Sequence, residues 1–341
     1  MGSTAKVVRV GLAAQFDPHL GELVARLASA AGARLVAEGP ADVWLVPEGA
    51  AGGATPSVSA ASAIPVRHGT GPQRVKDVRP GSGVALALPA DEAPLMRFLG
   101  SLSLSARARV VGLVGARGGL GASTLAAALA RVAARAGVRT ALADLDEGGG
   151  IELLLGIEHD PGPRWADLRA DRTGFPADAL SLALPRWNGV SVLSGDERGG
   201  PDAGGPGVAD ALAALASEHD LLVLDAPRSG PWLGPWAEAG LPGWHHAFVL
   251  AGCDVRSAAA AAVLARRLMV TDARLVGRSV GFGDLDPESL SEACGLTLAA
   301  RARTERGAAA AAQHGEAPGD RRRGAVARTA AHLFAGLEML P

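Results

Sequence analysis

Apolar and polar residues alternate with two different periods along this chain, and the changes of period mark predicted strands and helices. In the first hundred residues, five short apolar runs have the length of strands: 6–14, 33–39, 41–48, 64–68 and 83–89. Apolar residues spaced three and four apart predict helices at 18–32 and 93–102. Short strands with helices between them are typical of a small doubly wound α/β domain of flavodoxin-like type.

A second series of strands and helices begins after residue 106. Strands are predicted at 109–115, 139–146, 189–195, 220–227, 245–251 and 273–280. Helices are predicted near Ser123, at 206–219 and at 254–268, the first with an apolar stripe of Leu125, Ala128, Leu129 and Val132. This alternation predicts a doubly wound, mostly parallel sheet. Because 341 residues suffice for two domains, we expect one at 1–103 and one at 107–341.

The predicted first domain has the layout of a receiver domain without its phosphoacceptor residues. Receiver chemistry needs an acidic pair after the first strand, an Asp at the end of the third strand and a Lys at the end of the fifth. Here Asp17 is the only acid near the first strand. The third strand ends at Pro47 and Glu48, and the fifth ends in Leu-Pro. We therefore expect a pseudo-receiver.

The amino-acid composition limits which cellular compartment and which kinds of partner we expect. A formal net charge of −2 gives no overall attraction to nucleic acid or anionic lipid. The two cysteines, Cys253 and Cys294, lie in apolar or Ala-rich surroundings and are expected to be buried and reduced. The N-terminal apolar run is short and broken, as in a strand, and no run reaches the roughly eighteen residues of a membrane span. We expect a cytoplasmic protein, at most peripheral at the inner face of the plasma membrane.

The stretch "GARGGLGAST", residues 115–124, lies where a predicted strand passes into a helix. Glycines at such a junction free successive backbone amides to converge on phosphate oxygens at the positive end of the helix. Two acids, Asp144 and Asp146, end one later strand, and Asp225 ends another, as a Mg²⁺-holding carboxylate does. Since the carboxyl ends of parallel strands share one edge of a sheet, these elements together predict a nucleotide site.

Five stretches resemble the MinD/ParA family of P-loop ATPases with a deviant Walker A loop: "GARGGLGAST", "LADLDEGGGIELLLG", "PGPRWADL", "GVSVLSG" and "CDVRSAAAAA". The resemblance covers roughly 107–340 and reaches the first hundred residues only in architecture. Within the family the chain is most similar to CpaE-like proteins with a pseudo-receiver, specifically actinobacterial septum site-determining proteins. The resemblance implies a P-loop NTPase fold with ATP and Mg²⁺ as ligands.

The family loop reads K-G-G-x-G-K-[ST], and its roles transfer by position. The resemblance implies that Arg117 reaches across a nucleotide-sandwich dimer, that Ser123 binds Mg²⁺ and that Thr124 contacts a phosphate. It also implies that Asp146 is the catalytic residue that assists the attacking water, and that Asp225 holds Mg²⁺ with Ser123. The implied nucleotide-binding set is Arg117, Gly118, Gly119, Leu120, Gly121, Ala122, Ser123, Thr124 and Asp144.

Ala122 stands where the family has the lysine that neutralises the β- and γ-phosphates. The chain has no lysine after Lys76, so no lysine of the second domain substitutes for it. Losing one preorganised charge contact costs on the order of 3–4 kcal/mol, or about 10²–10³ in rate. We therefore expect weak ATP binding with little or no hydrolysis. The family's adenine-contacting Asn is also absent from "LVGRSV", which leaves the base open.

Three functional hypotheses follow from the resemblance. The favoured one is a regulator of septum site placement that acts by associating with division proteins. The alternatives are an active ATPase that cycles between monomer and dimer to localise pilus or secretion machinery of the Tad type, and a ParA-like DNA partition protein. We consider DNA a less favoured partner, since Arg301, Arg303 and Arg306 are explained by a solvated helix face.

Three further groups of residues have two interpretations each. Trp232, Trp236 and Trp244 form either core or a partner surface. A C-terminal helix, led by Arg321, Arg322 and Arg323 and with Val326, Leu333, Phe334, Leu337 and Leu340 near one face, either lies on an anionic membrane or packs on its own sheet. His245 and His246 are adjacent on a strand, so they point to opposite faces and cannot bind one metal there.

Overall fold

The computed structural model describes residues 8–13, 17–31, 33–37, 40–48, 63–70, 78, 84–103, 108–168, 177–202, 206–233, 243–268, 270, 272–279, 285–303, 305, 317, 319–320 and 323–337. Within these residues, tertiary contacts divide the chain into two compact units. Of the described residues, those up to 103 belong to the first unit and those from 108 onwards belong to the second.

A parallel five-stranded sheet forms the first unit. Its strands are β1 (Arg9–Leu12), β2 (Arg34–Val36), β3 (Val43–Pro47), β4 (Ala63–Gly69) and β5 (Leu86–Pro89), and its helices are α1 (Pro18–Ala30) and α2 (Glu92–Ser103). The strand order is β2-β1-β3-β4-β5, with every pair parallel. This is the order of doubly wound flavodoxin-like sheets. The predicted strands and helices are confirmed; four strands are shorter than predicted, and β4 is longer.

The core of the first unit lies between the sheet and its helices. Leu45, Ile64 and Leu88 of the strands are almost fully buried and belong to one apolar cluster with Leu20 of α1 and Leu99 of α2. Burial of these side chains is the main term that stabilises the unit, at about 1.5–3 kcal/mol for each.

Asp17 caps helix α1. Its Oδ1 accepts hydrogen bonds from the backbone amides of His19, at 3.0 Å, and Leu20, at 3.2 Å. An Asp in this position satisfies amides that the first helical turn leaves without partners. The acid near the first strand thus has a structural contact.

An eight-stranded sheet forms the centre of the second unit. Its strands are β6 (Arg109–Gly115), β7 (Thr140–Asp144), β8 (Arg186–Trp187), β9 (Val190–Leu193), β10 (Leu221–Ala226), β11 (His246–Gly252), β12 (Ala273–Arg278) and β13 (Thr297–Ala302). The order is β13-β12-β11-β6-β10-β7-β9-β8. Strand β8 is antiparallel to β9, and the other pairs are parallel. The predicted mostly parallel sheet is confirmed.

Helices cover this sheet. They are α3 (Ala122–Arg135), α4 (Ile151–Leu155), α5 (Ala177–Ala183), α6 (Pro206–Glu218), α7 (Val255–Arg267), α8 (Pro287–Cys294) and α9 (Ala325–Ala335). The predicted stripe of α3 is buried at Leu125, Ala128 and Leu129, whereas Val132 is only partly buried. Alanines outside the stripe are buried too, because α3 contacts both the sheet and α9.

Helix α9 packs on α3 with a face that includes Leu333 of the predicted stripe together with neighbouring alanines. Ala327, Ala330 and Leu333 are buried, whereas Val326 and Phe334 are only partly buried. Small residues on α9 let it approach the Ala-rich surface of α3, and this contact orients the helix. Leu337 is also buried, while Arg321, Arg322 and Leu340 lie outside the described residues. No helix in the described part of the chain is long and apolar enough to cross a membrane.

Two of the three tryptophans in question are core residues. Trp232 is 1% exposed and Trp244 is 8% exposed, while Trp236 lies outside the described residues. Trp244 packs directly on Gly112, where a Cβ atom would lie 2.1 Å from its ring. Only glycine therefore fits at this point of strand β6. Cys253 and Cys294 are also buried, and both are free thiols.

Separate partners engage the two adjacent histidines. Nδ1 of His245 accepts a hydrogen bond from the Val110 amide at 3.0 Å. Nδ1 of His246 lies 2.5 Å from Oδ2 of Asp272. The two rings are thus fixed to different elements and do not converge on one point.

Candidate functional site

The loop between β6 and α3 has a backbone that only glycine adopts without strain at two positions. Gly119 has φ 76° and Gly121 has φ 87°, both in the left-handed region. Gly121 is the N-cap residue of α3 and has no side chain to cap the helix. The first helical hydrogen bond runs from the Leu125 amide to the Gly121 carbonyl, at 3.0 Å. The amides of the preceding turn are therefore left for an external acceptor.

Long-range contacts hold the loop from behind. The Ala116 amide donates to the Leu250 carbonyl at 2.9 Å, which ties the loop to the end of β11. The guanidinium of Arg278, the last residue of β12, donates to the carbonyl of Leu120. The loop is thus anchored to the two strands on one side of β6, which limits its freedom to collapse.

Arg117 is engaged within its own chain. Its Nη1 lies 3.0 Å from Oδ1 of Asp254, and the Arg117 side chain is 44% exposed. Asp254 is also the N-cap of α7 and accepts a hydrogen bond from the Ser257 amide at 2.9 Å. In this structure the residue predicted to reach a second copy is held by an intramolecular ion pair.

Two carboxyl groups lie beside the start of α3. Asp144, the last residue of β7, and Asp225 of β10 are paired in register on neighbouring strands. The hydroxyl of Ser123 is hydrogen-bonded to Asp225. Burial raises the pKa of Asp225 to about 7, with the nearby charge of Asp144 adding to the shift and Ser123 opposing it. Burial also raises the pKa of Asp144 to about 6, against two backbone hydrogen bonds.

Asp144 shapes the turn that follows β7. Its Oδ1 accepts from the Asp146 amide at 3.0 Å and its Oδ2 from the Ile151 amide at 3.1 Å. Its carbonyl accepts from the indole of Trp165 at 2.6 Å. Asp146 is exposed, and its Oδ1 accepts from the Gly148 amide at 2.9 Å. The strand ends before Asp146, so this second acid lies in the turn and not on the strand.

These elements enclose a cleft of about 420 Å³. Every site residue predicted from the sequence lines it: Arg117, Gly118, Gly119, Leu120, Gly121, Ala122, Ser123, Thr124, Asp144, Asp146 and Asp225. The size lies within the usual range of small-molecule pockets, which is about 300–1,000 Å³. The individual roles assigned to these residues remain predictions.

Sequence reasoning missed three residues of the site. Arg228 lines the cleft, Arg278 holds the loop, and Asp254 pairs with Arg117. Arg228 follows a recognised strand end and could have been found there. The other two lie 158 and 137 residues from their partners, so no local pattern could have identified them.

The donor set of the cleft suits Mg²⁺ bound together with phosphate. A hydroxyl and carboxylates are oxygen ligands of the kind that Mg²⁺ prefers. In the described residues, no group of three or more His, Cys, Asp or Glu side chains is arranged to hold a metal ion. Ser123 and Asp225 would therefore hold the ion together with phosphate oxygens and water.

Known proteins resemble this chain in sequence and in fold. No family model matches it. It is 36% identical to the uncharacterized protein Rv3660c of Mycobacterium tuberculosis (strain ATCC 25618 / H37Rv) over 244 residues, which are 69% of this chain and 67% of the relative. It is 34% identical to the uncharacterized protein SCO2128 of Streptomyces coelicolor over 129 residues, 34% of this chain and 33% of that one.

Solved structures share the fold. A ParA family ATPase from Chlorobium tepidum TLS matches with a TM-score of 0.53 at 16% identity, over 68% of this chain and 99% of that one. The MinC:MinD cell division complex of Aquifex aeolicus matches with 0.53 at 16% identity, over 69% and 98%. MinD of Pyrococcus horikoshii OT3 with Mg-ADP matches with 0.51 at 16% identity, over 68% and 96%. The chain therefore contains the fold of the MinD and ParA ATPases.

Proposed function

The chain belongs to one protein family with the mycobacterial protein Rv3660c, and on that premise we propose that it is a regulator of septum site placement that binds Mg-ATP weakly. It acts by associating with division proteins, with little or no hydrolysis. One observation carries the proposal: the glycine-rich loop at 115–124 leaves the start of α3 without a side-chain cap and has Ala122 where the family loop has its lysine.

Binding rests on groups that the missing lysine leaves in place. The amides at the start of α3 have no side-chain cap, and helix N-termini of this kind attract phosphate. Ser123 and Asp225 are already in contact and would bind Mg²⁺ or its water shell. Mg²⁺ would supply the largest local positive charge, beside carboxyl groups whose pKa burial has raised. These contacts support nucleotide binding of modest affinity.

Hydrolysis needs more than binding. Phosphoryl transfer depends on positioning and on neutralisation of the charge on the transferred group. Asp146 lies in the cleft where it could orient a water molecule, but Ala122 stands where a lysine would neutralise the γ-phosphate of the nucleotide bound in the same chain. Loss of one such contact lowers the rate about 10²–10³-fold. The chemical step would thus be too slow to drive a cycle.

Association with proteins is the function that remains for a slow enzyme with this fold. The matching MinD structure of Aquifex aeolicus is a complex with MinC, a cell division protein. For this chain we propose division proteins as partners and a homodimer as one of its states. In such a dimer Arg117 would exchange its Asp254 partner for a phosphate of the second copy. The first unit, with its flavodoxin-like strand order, would serve as a pseudo-receiver that binds proteins.

Isothermal titration of Mg-ATP into the full chain tests the proposal when phosphate release is measured on the same sample. We expect saturable binding with phosphate release at background level. Size-exclusion chromatography with and without Mg-ATP then shows whether the nucleotide changes the association state. Turnover comparable to that of ordinary family ATPases would favour the active localisation ATPase instead. Absence of saturable heat would refute nucleotide binding.

A control variant makes the titration specific to the cleft. Ser123→Ala removes the hydroxyl that contacts Asp225 and would bind Mg²⁺. It should weaken Mg-ATP binding while leaving the Mg²⁺-independent part of the nucleotide affinity. Equal affinity in the variant with and without Mg²⁺, together with a Mg²⁺ effect in the parent protein, would support this site.

A further inference from the structure

The arginines around the cleft differ in whether their guanidinium groups already have partners within the chain. Arg117 pairs with Asp254 at 3.0 Å. Arg278 donates to the Leu120 carbonyl from behind the loop. Arg228 also lines the cleft, and among the residues that the structure describes it has no hydrogen-bonded or ion-paired partner. It is therefore the cation that a ligand can recruit without breaking an existing contact.

The position of Arg228 places its charge over the loop. It lies in the turn after β10, three residues beyond Asp225, and is exposed. A Cβ atom on Gly118 would lie 3.7 Å from its Nη1, so the guanidinium lies beside the loop at Gly118. Ala122 presents only a methyl group at the start of α3 and leaves the space in front of the loop open.

We propose that Arg228 supplies the phosphate-binding charge that the loop lacks, by donating to oxygen atoms of the β- or γ-phosphate of a Mg-nucleotide. The guanidinium suits this role because its planar set of N–H groups matches phosphate geometry and stays charged at all relevant pH values. This inference rests on the proposed function of the cleft. It names the residue that makes nucleotide binding possible without the lysine.

The inference has a structural consequence that a loop lysine would not have. Asp225 and Arg228 lie in one short segment, residues 225–228, at the end of β10. A nucleotide that contacts Mg²⁺ near Asp225 and also contacts Arg228 would order that segment from both ends. Nucleotide binding would thereby fix the turn after β10, whereas an unliganded Arg228 stays exposed to solvent.

Calorimetric titration with Mg-ADP and Mg-ATP tests the inference on four forms of the full chain. Arg228→Gln should weaken binding about 10–100-fold, the range expected for a hydrogen bond to a charged group. Arg228→Lys keeps the charge but not the planar set of donors, so it should lose less affinity than Arg228→Gln. Arg228→Gln combined with Ala122→Lys should recover it, because the charge returns from the loop side.

The matched control is Arg186→Gln, an exposed arginine on the far edge strand β8, which should bind like the parent protein. Parent binding with unchanged affinity in Arg228→Gln would overturn this inference and leave the proposed function intact. A parent protein that binds neither nucleotide would overturn both. Circular dichroism of each variant checks that the fold is retained.

Discussion

The hydroxyl of Ser123 is hydrogen-bonded to the carboxyl group of Asp225, so the first turn of α3 meets the end of strand β10 inside the cleft. These are the two residues predicted to hold Mg²⁺. Asp225 is 8% exposed and lies in register with a second buried acid, Asp144. Such a pair opposes folding when it is charged, which is typical of a site kept for a ligand.

The cost of this buried charge gives a pH-dependent prediction. Burial raises the pKa of Asp225 from 3.8 to about 7, so the folded protein binds this proton more tightly than the unfolded chain does. The resulting stabilisation is complete below about pH 4 and is lost as the pH rises through about 7. In metal-free buffer, Asp225→Asn should therefore raise the free energy of unfolding at pH 8 relative to the parent protein, by on the order of 2–4 kcal/mol.

Urea denaturation at pH 5 and pH 8 measures this effect. The gain in Asp225→Asn should be much smaller at the lower pH. Glu158→Gln, a change at an exposed acid, should leave the pH profile unchanged. Parallel profiles for the parent protein and Asp225→Asn would contradict the raised pKa.

Restoring the lysine should convert the protein toward an enzyme. Ala122→Lys places a cation at the start of α3, beside the unused amides. We expect phosphate release from Mg-ATP to rise by about 10²–10³-fold over the parent protein. Adding Asp146→Asn to this variant should remove most of the gain, because it removes the carboxylate proposed to orient the water. A lysine variant as inactive as its parent would show that another part of the catalytic machinery is missing.

Arg278 should control the order of the loop. Its guanidinium donates to the Leu120 carbonyl, and no residue within the loop can replace this contact. Arg278→Gln should speed amide hydrogen exchange at residues 118–121 and lower stability by about 1–3 kcal/mol. Arg274→Gln is the matched control, because Arg274 is the second residue of the same strand and pairs with Asp272 at 2.7 Å. Equal exchange rates in the two variants would contradict the bracing role.

Three glycines with positive φ, two in the loop and one after α3, should differ in how strongly alanine destabilises the protein. Gly119, Gly121 and Gly137 all have positive φ, so alanine costs roughly 1–2 kcal/mol of backbone strain at each. At Gly121 an added Cβ would also lie 3.0 Å from Nη1 of Arg278, whereas nothing lies within 4 Å at the other two. Thermal unfolding should therefore rank Gly121→Ala as the most destabilised of the three. A similar loss at all three would mean that Arg278 moves aside freely.

The sequence was sufficient for those parts of the site that local patterns encode. Glycines at 118, 119 and 121 predict a tight turn, and acids at strand ends predict carboxyl groups at the edge of a sheet. These elements converge because β10 lies beside β6 and β7 lies beside β10. The strand order itself was not readable from the chain, since it depends on long-range pairing.

Tertiary packing decided what the sequence could not. The buried face of α9 adds Ala327 and Ala330 to the predicted Leu333, because small residues allow the close contact with α3, while Phe334 stays partly exposed. Strand β13 (Thr297–Ala302) was missed, because its arginine interrupts the apolar pattern and its position at the edge leaves it half exposed. The partners of Arg117 and Arg278 lie more than a hundred residues away.

A crystal structure of the full chain with Mg²⁺ and a non-hydrolysable ATP analogue tests most directly whether the loop binds phosphate without its lysine. The account predicts phosphate density on the amides of residues 118–124, with Mg²⁺ beside Ser123 and Asp225. A loop filled by its own side chains in crystals saturated with the analogue, with no phosphate bound, would contradict it.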